Sequence, residues 1–298
     1  MQELTFVWLE ITGRCQLQCT HCYADSSPQG THGTMTTANW LRVIDDVAQL
    51  DGRMVQFIGG EPTQHRGLPD LVDHALGCGL KVEVFSNLVH VSARLWEVFA
   101  RPGVRLATSY YSDDADQHEA VTKGGGSHAR TKANIIETLR RSIPLRVGLV
   151  DIQDGQRVEQ ARVELEALGV TEIGLDRLRQ VGRGTRDQQR SVEQLCGRCT
   201  DGVVAISPDG SVWPCVFARW LPVGNINESS LREIVDGANL ATTRMRLNQN
   251  FAKRKCGPES RCDPSKSDCR PSCPPGYHCG PKCIPDQCWP GYYCAPDG

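Results

Sequence analysis

Three cysteines lie close together near the start of the chain, Cys15, Cys19 and Cys22, separated by three and then two residues. They follow an apolar run, residues 4–11, that predicts a β-strand. Cysteine thiolates hold iron–sulfur clusters, and three of them can bind three irons of a [4Fe–4S] cube, which leaves the fourth iron open. Zinc is the alternative, but structural zinc sites usually take four ligands, as two pairs or with histidine. No other cysteine follows before Cys78, so the motif favours a cluster with an open iron.

A second motif, Gly-Gly-Glu-Pro at residues 59–62, follows a second predicted strand. Gly and Pro punctuate many loops, so this segment alone would predict only a turn. Together with the cysteine motif, however, it resembles the family of radical S-adenosylmethionine (SAM) enzymes over about residues 4–180. The resemblance implies that Gly59 and Gly60 let the backbone approach the methionine end of SAM. It also implies that the carboxylate of Glu61 takes the ammonium group of SAM.

Apolar runs alternate with helical patterns as far as about residue 180. The predicted strands are residues 4–11, 54–58, 81–85, 105–109, 145–150 and 172–176, and the predicted helices lie near 37–50, 68–78, 92–100, 128–141 and 156–168. Strands alternating with helices predict a parallel sheet with right-handed crossovers. We therefore predict an α/β fold, a partial (β/α)6 barrel of TIM type, which the resemblance also implies. The predicted division is a barrel at 1–180, a linker at 181–195 and a Cys-rich domain at 196–298.

Polar side chains follow several of these strands, at the end where the chemistry of such barrels gathers. They are Ser86 and Asn87, Ser109 and Tyr110, and Arg177 and Arg179. Ser and Asn are also common turn formers, and surface arginine is an equal alternative. From this placement we take Ser86, Asn87, Ser109 and Arg177 as candidates for binding SAM. The ring of Tyr23, directly after the third cysteine, matches the aromatic position that the family places by the adenine.

The acidic run at 113–119 favours a solvated loop, although at the barrel mouth it would attract a cationic substrate. Cys78, in a Leu-Gly-Cys-Gly-Leu segment, predicts a small buried residue at a helix end.

Eleven of the fifteen cysteines lie between Cys196 and Cys294. Two short apolar runs flank the turn Pro-Asp-Gly at 208–210, which predicts a β-hairpin. This hairpin would bring Cys199 and Cys215 towards each other. The region resembles the SPASM or twitch extension of radical SAM enzymes, which holds one or two auxiliary [4Fe–4S] clusters.

The tail beyond the hairpin offers further candidate ligands for the auxiliary clusters: Cys262, Cys269, Cys273, Cys279 and Cys283. Their spacing departs by one residue from the full SPASM pattern, so the ligand set and the number of clusters stay open. A disulfide-knotted or zinc-binding tail is the alternative, since Pro and Gly are frequent here. Cys256 precedes these cysteines and is our candidate for a thiol that donates a hydrogen atom to a substrate radical.

Composition excludes some function classes. The formal net charge is −2 and the basic residues are scattered, which argues against a nucleic-acid partner. No apolar run is long enough for a membrane helix, and the first residues lack the basic start of a signal peptide. We therefore predict a cytoplasmic protein, where so many cysteines indicate metal binding or catalysis rather than disulfides.

The resemblance implies reductive cleavage of SAM to a 5′-deoxyadenosyl radical, with electrons from a flavodoxin or ferredoxin type of reductant. Our first interpretation is an epimerase in antibiotic biosynthesis that inverts an aminosugar carbon of a neomycin-type aminoglycoside, with a cysteine as hydrogen donor. The start of the chain at the first strand, without a peptide-recognition domain, and the acidic run support it. The alternative is a maturase of a ribosomal peptide that forms a D-residue, a thioether or a carbon–carbon link, or a radical SAM dehydrogenase. An iron–sulfur or metal-storage protein is disfavoured, because storage requires neither the Gly-Gly-Glu motif nor an open iron.

Overall fold

The computed structural model describes residues 4–186 and 188–252. Its strands are β1 (Phe6–Glu10), β2 (Met54–Ile58), β3 (Lys81–Phe85), β4 (Val104–Tyr110), β5 (Leu145–Asp151), β6 (Glu172–Arg177), β7 (Val203–Ile206), β8 (Ser211–Trp213) and β9 (Gly224–Asn225). Its α-helices are α1 (Thr37–Gln49), α2 (Leu68–Gly77), α3 (Ala93–Phe99), α4 (Ala115–Thr122), α5 (Ser127–Arg140), α6 (Val158–Ala167), α7 (Leu231–Val235) and α8 (Ala238–Ala252).

The strands form one sheet in the order β6-β5-β4-β3-β2-β1-β7-β8-β9. Strands β1 to β6 are parallel neighbours in sequence order, and helices lie in the connections between them. This arrangement confirms the predicted α/β fold of six parallel strands. The carboxyl ends of β1 to β6 therefore meet at one edge, where a barrel of this kind places its chemistry.

The sequence of helix α1 explains why this helix forms and why it packs on one face of the sheet. Thr36 caps its first turn by accepting from the backbone N–H of Asn39, whose side chain returns a bond to the Thr36 backbone. The buried residues of the helix, Trp40, Val43, Ile44 and Val47, repeat at the spacing of one helical face. That face packs on the sheet as part of the larger apolar core, together with Val7, Leu9, Val55 and Phe57 from β1 and β2.

A second apolar cluster covers the opposite face of the central strands. It contains Phe6 and Trp8 of β1, Met54 and Ile58 of β2, and Cys199, Trp213 and Cys215 from the later part of the chain. Strand β7 pairs in parallel with β1, with Phe6 opposite Val203, and continues into the antiparallel hairpin with β8. The sheet therefore runs through the predicted domain boundary, and the domain limits stay a prediction.

Two local predictions were incomplete. Much of the acidic run belongs to helix α4, because Asp114 caps it by accepting from the N–H of Gln117. The predicted linker contains two 3-10 turns, Gly182–Thr185 and Val192–Gln194, and the first of them packs on the cysteine loop. Of the helices described here, none has the length and hydrophobicity needed to cross a bilayer.

Candidate active site

The cysteine motif lies in a long loop after β1 that closes on itself. The N–H of Gly13 donates to the carbonyl of Thr31 at 2.8 Å, and the N–H of Cys15 donates to Ser27 at 3.0 Å. The start of the loop is also tied to the end of β2, because the N–H of Gly60 donates to the carbonyl of Thr12 at 2.7 Å. The first cysteine is thus held rigidly between two strand ends.

Cys15, Cys19 and Cys22 all line one cavity of ≈ 140 Å³ at the carboxyl edge of the sheet. Backbone N–H groups point at two of the sulfurs, from Leu17 to Cys15 Sγ and from Ser26 to Cys22 Sγ, each at 3.4 Å. Such donors stabilise a thiolate. Burial, reinforced by the nearby Glu61, raises the pKa of Cys15 to about 12, and burial also raises the pKa of Cys19. A raised pKa favours the protonated thiol, and binding of iron would displace that proton.

The spacing of the three sulfurs fits a multi-iron cluster. In the described part of the chain, the Sγ atoms of Cys15, Cys19 and Cys22 are not all within 4.8 Å of one another. Ligands of one tetrahedral zinc would lie about 3.8 Å apart, given Zn–S bonds of about 2.3 Å. At least one pair of these sulfurs is therefore farther apart than one tetrahedral zinc ion allows, and three cysteines on one cavity fit a [4Fe–4S] cluster.

The Gly-Gly-Glu segment needs its glycines for close backbone approach. Gly59 has a φ of +141°, and a Cβ at Gly60 would lie 2.2 Å from the carbonyl oxygen of Arg14. Both glycines line the cavity. No larger residue can therefore occupy these positions while the loop keeps this path.

Glu61 is fully buried and is not among the residues that line the cavity. It accepts from the N–H and hydroxyl of Thr63 at 3.1 and 2.8 Å, from the Ser86 hydroxyl at 2.8 Å and from the N–H of Asn87 at 2.8 Å. Burial raises its pKa, and these donors oppose that effect. Glu61 thus joins the ends of β2 and β3. Its predicted contact with the SAM ammonium stays a prediction.

Asn87 lies on the cavity wall, whereas Ser86 is buried behind it. The Asn87 side-chain amide lies 3.6 Å from Cys15 Sγ, and its carbonyl accepts from Gln16 at 3.0 Å. Asn87 is therefore placed to contact both a cluster ligand and a bound molecule, while Ser86 acts on the site through Glu61.

The end of β4 divides its side chains between the cavity and the outer layer. Ser109 and Tyr111 line the cavity. Tyr110 instead points outward, where its hydroxyl contacts His128 Nε2 at 2.7 Å and donates to Glu164 at 2.8 Å. A substrate role for Tyr110 would require it to act through these neighbours.

Arginines form one side of the cavity. Arg177, Arg179 and Arg183 line it, with Asp176 as the one acidic side chain among its lining residues. Arg179 pairs with Asp176 at 2.7 Å. The Nε of Arg177 is buried and has no hydrogen-bond partner in the described residues. The structure places Arg177 at the cavity, and its contact with a carboxylate of SAM stays a prediction.

Two rings of the cysteine loop face the cavity. Tyr23 packs edge-on against Phe217 with ring centres 5.5 Å apart. His21, which the sequence analysis missed, packs edge-on against Tyr111 at 5.1 Å, and its buried Nδ1 has no partner among the described residues. The signal for His21 was an imidazole placed directly between two cluster cysteines.

The acidic run takes little part in the cavity. Asp113 pairs with Arg157 at 2.6 Å, and Asp116 is exposed on α4. Of this run only His118 lines the cavity; it is buried, and burial together with the neighbouring His128 lowers its pKa to about 4. Here the preferred interpretation, a solvated loop, was wrong for His118.

The β7–β8 hairpin brings Cys199 and Cys215 together as predicted, with their sulfurs 2.9 Å apart. Both side chains are buried, whereas Cys196 is exposed. The remaining predicted cluster ligands, Cys262, Cys269, Cys273, Cys279 and Cys283, and the predicted hydrogen donor Cys256 lie outside the described residues. Their roles stay predictions.

Comparisons with known proteins agree with this geometry. Residues 9–162 match the model of the radical SAM superfamily, and residues 196–270 match the SPASM model, described as an iron–sulfur cluster-binding domain. A PqqA peptide cyclase of Rhodopseudomonas palustris is 30% identical over 145 residues, which cover 48% of this chain and 38% of that protein. A PqqA peptide cyclase of Bradyrhizobium diazoefficiens is 27% identical over 80% of this chain and 70% of its own length.

A solved structure has a similar fold. SuiB of Streptococcus suis bound to the precursor peptide SuiA superposes with a TM-score of 0.67 at 12% identity, over 80% of this chain and 66% of SuiB. At this identity the likeness concerns the fold alone.

Proposed function

Since this chain belongs to the radical SAM superfamily and carries a SPASM iron–sulfur cluster-binding domain, we propose that it modifies a peptide by radical chemistry. Its cofactors are SAM and [4Fe–4S] clusters. When bound, SAM and its cluster supply the radical that abstracts a carbon-bound hydrogen, and an auxiliary cluster supplies an acceptor for the electron that leaves. In our proposal Cys15, Cys19 and Cys22 bind the cluster at which SAM is cleaved.

Our choice between an aminosugar and a peptide substrate depends on the charged side chains of the cavity wall. Three arginines and one aspartate line it, and the acidic side chains of the run at 113–119 lie elsewhere. Asp176, the one acidic side chain among the lining residues, is already paired with Arg179, so the wall offers no unpaired carboxylate to a polycationic aminosugar. This observation disfavours the aminoglycoside epimerase that the sequence analysis preferred. Two relatives named as peptide cyclases support a peptide instead.

We propose that the reaction is a cyclisation or cross-link. One new bond then forms between two residues of the peptide, and two hydrogens are lost. The first would leave as a hydrogen atom to the 5′-deoxyadenosyl radical, and the second as a proton to solvent and an electron to an auxiliary cluster. His118 lines the cavity, which places its ring beside a bound substrate.

The partners follow from this proposal. The substrate is a peptide, and a flavodoxin or ferredoxin type of protein delivers the reducing electron. A location where thiols stay reduced, such as the cytoplasm, suits a chain whose cysteines bind iron.

An anaerobic assay in D2O tests the proposed function. It contains the reconstituted enzyme, SAM, dithionite and either a panel of synthetic peptides or a panel of aminoglycosides. We expect a peptide product that is two mass units lighter and contains no solvent deuterium. An aminoglycoside product one mass unit heavier, with one inverted centre, would show that the epimerase interpretation is correct and ours is wrong.

A further inference from the structure

Three metal-binding side chains converge between α1 and α2, among the helices that cover the sheet and apart from the residues lining the cavity. Asp45 comes from α1, His74 from the last turn of α2, and Cys78 from the residue that caps α2. His74 Nε2 lies 2.6 Å from Asp45 Oδ1, and Cys78 Sγ lies 3.6 Å from the same oxygen. All three donor atoms lie within 4.8 Å of one another.

The helices hold these groups in place. The N–H of Cys78 donates to the carbonyl of His74 at 2.9 Å, so the two residues are one helical turn apart on the same face. Asp45 follows Ile44, which is buried against the sheet and fixes the rotation of α1. The three side chains therefore come from packed elements rather than from loops.

A hydrogen-bonded pair between His74 and Asp45 would explain one of these contacts. It does not explain why the thiol of Cys78 converges on the same oxygen. In a tetrahedral zinc site with bonds of about 2.0–2.3 Å, the donors are about 3.3–3.8 Å apart. The distance from Cys78 to Asp45 already fits, and the His74–Asp45 pair must open by about 1 Å. Side chains that are 34% and 44% exposed, for His74 and Asp45, can make this adjustment.

We propose that Asp45, His74 and Cys78 bind one zinc ion. One thiolate, one imidazole and one carboxylate form a mixed set that suits zinc better than the hard cations magnesium or calcium. On binding, the thiol of Cys78 loses its proton to solvent, and neutral His74 carries its proton on Nδ1. A water molecule or Asp70, which lies one turn before His74 and lines the same depression, completes the fourth position.

The ion would clamp α1 to α2 in the layer that covers β1 and β2. The carboxyl ends of these strands carry the cysteine loop and the Gly-Gly-Glu segment. If zinc binds only the folded protein, it would stabilise the fold by an amount that rises with the logarithm of zinc concentration. The site is independent of the proposed function, since none of its three ligands lines the cavity.

The test uses the full chain with its iron–sulfur clusters loaded, so that the cluster cysteines are occupied, and adds one equivalent of zinc. X-ray absorption at the zinc edge does not detect iron, and a chromophoric chelator measures the affinity by competition. We expect one sulfur and three nitrogen or oxygen neighbours around zinc. Asp45→Asn and Cys78→Ala should each weaken zinc binding by more than about tenfold, since removing a ligand costs at least as much as removing its supporting partner.

Asp46→Asn is the matched control, because it removes the same charge one position away. The Asp46 carboxylate accepts from the N–H of Leu231 at 3.4 Å and belongs to a different contact. Its zinc affinity should equal that of the unchanged chain. Should Cys78→Ala fail to fold, His74→Gln replaces it. A zinc shell of sulfur alone, or equal affinities for all these variants, would overturn the proposal.

Discussion

The guanidinium of Arg183 donates through Nε to the carbonyl oxygen of Cys19 at 2.8 Å, although 164 positions separate the two residues. The same guanidinium donates to the carbonyl of Ser26 at 2.6 Å and pairs with Asp25 at 2.8 Å. The backbone N–H of Arg183 donates to the carbonyl of Cys22 at 2.9 Å. The segment after β6 therefore holds the loop that carries the three cluster cysteines.

Arg183→Ala should weaken retention of the SAM-binding cluster. Three bonds from a charged donor are lost, and the loop should become less stable by on the order of 2–3 kcal/mol. Arg183→Lys should restore little, because an ammonium group cannot make the same forked contacts. The SAM-binding cluster is followed by its electron paramagnetic resonance signal, which changes when SAM is added. The measurement is the rate at which this signal disappears in the presence of an iron chelator. Arg190→Ala, at an exposed arginine of the same segment, is the control and should leave the rate unchanged.

Gly60→Ala should disrupt the site, whereas Gly125→Ala should be tolerated. A Cβ at Gly60 would lie 2.2 Å from a backbone oxygen, while a Cβ at Gly125 meets nothing within 4 Å. Backbone cannot move aside as a flexible side chain can, so the Cys15 segment must shift. We expect Gly60→Ala to lose most binding of SAM, measured by equilibrium dialysis with labelled SAM. Equal binding by the two variants would contradict the close approach described here.

Cys215→Ala should remove an auxiliary cluster and leave the SAM-binding cluster in place. The hairpin places Cys215 beside Cys199, apart from the three cysteines of the first loop. Iron content should fall by about four atoms per chain, the content of one [4Fe–4S] cluster. The triple variant with Ala at Cys15, Cys19 and Cys22 should lose a similar amount. SAM cleavage should survive only in Cys215→Ala, and its loss there would show that the two sites are not separate.

His118 should make the stability of the fold depend on pH. Burial, with the neighbouring His128, lowers its pKa from 6.5 to about 4. At pH values above the pKa of the unfolded chain, the imidazole is neutral in both the folded and the unfolded state, so it does not change the free energy of unfolding. As pH falls from 6.5 to about 4, only the unfolded state takes up the proton, and the folded state loses up to about 3 kcal/mol.

Urea unfolding of the apo chain at about pH 7 and about pH 5 measures this effect. His118→Gln should lose less stability between the two pH values than the unchanged chain does. The control is His90→Gln, at an exposed histidine, which should behave like the unchanged chain. An identical loss in His118→Gln would mean that His118 is not buried in its neutral form.

Local patterns in the sequence predicted most of the fold. The six parallel strands follow from short apolar runs, and their order follows from the handedness of the crossovers. The position of the cysteine loop and of Gly59 and Gly60 at neighbouring strand ends follows from the same rule. The Asp-Gly turn correctly predicted that Cys199 and Cys215 would meet.

Long-range contacts were beyond the sequence patterns. Arg219 pairs with the buried Glu10 over 209 positions, and its guanidinium lies 4.3 Å from the centre of the Trp213 ring. The outward turn of Tyr110 and the burial of His118 depend on helices α4 and α5 packing beside β4. Such contacts are set by tertiary packing, and neither spacing nor residue type indicates them.

Transfer of deuterium from substrate to 5′-deoxyadenosine tests the central proposal most directly. The reconstituted enzyme is incubated with SAM, dithionite and peptides deuterated at carbon, and the mass of 5′-deoxyadenosine is measured beside that of the peptide. We predict that 5′-deoxyadenosine gains one mass unit, in an amount proportional to the peptide product. That product will have lost either two carbon-bound deuteriums, or one deuterium and one exchangeable hydrogen. If 5′-deoxyadenosine stays undeuterated with every peptide but takes deuterium from a labelled aminoglycoside, the account of this chain as a peptide-modifying enzyme is wrong.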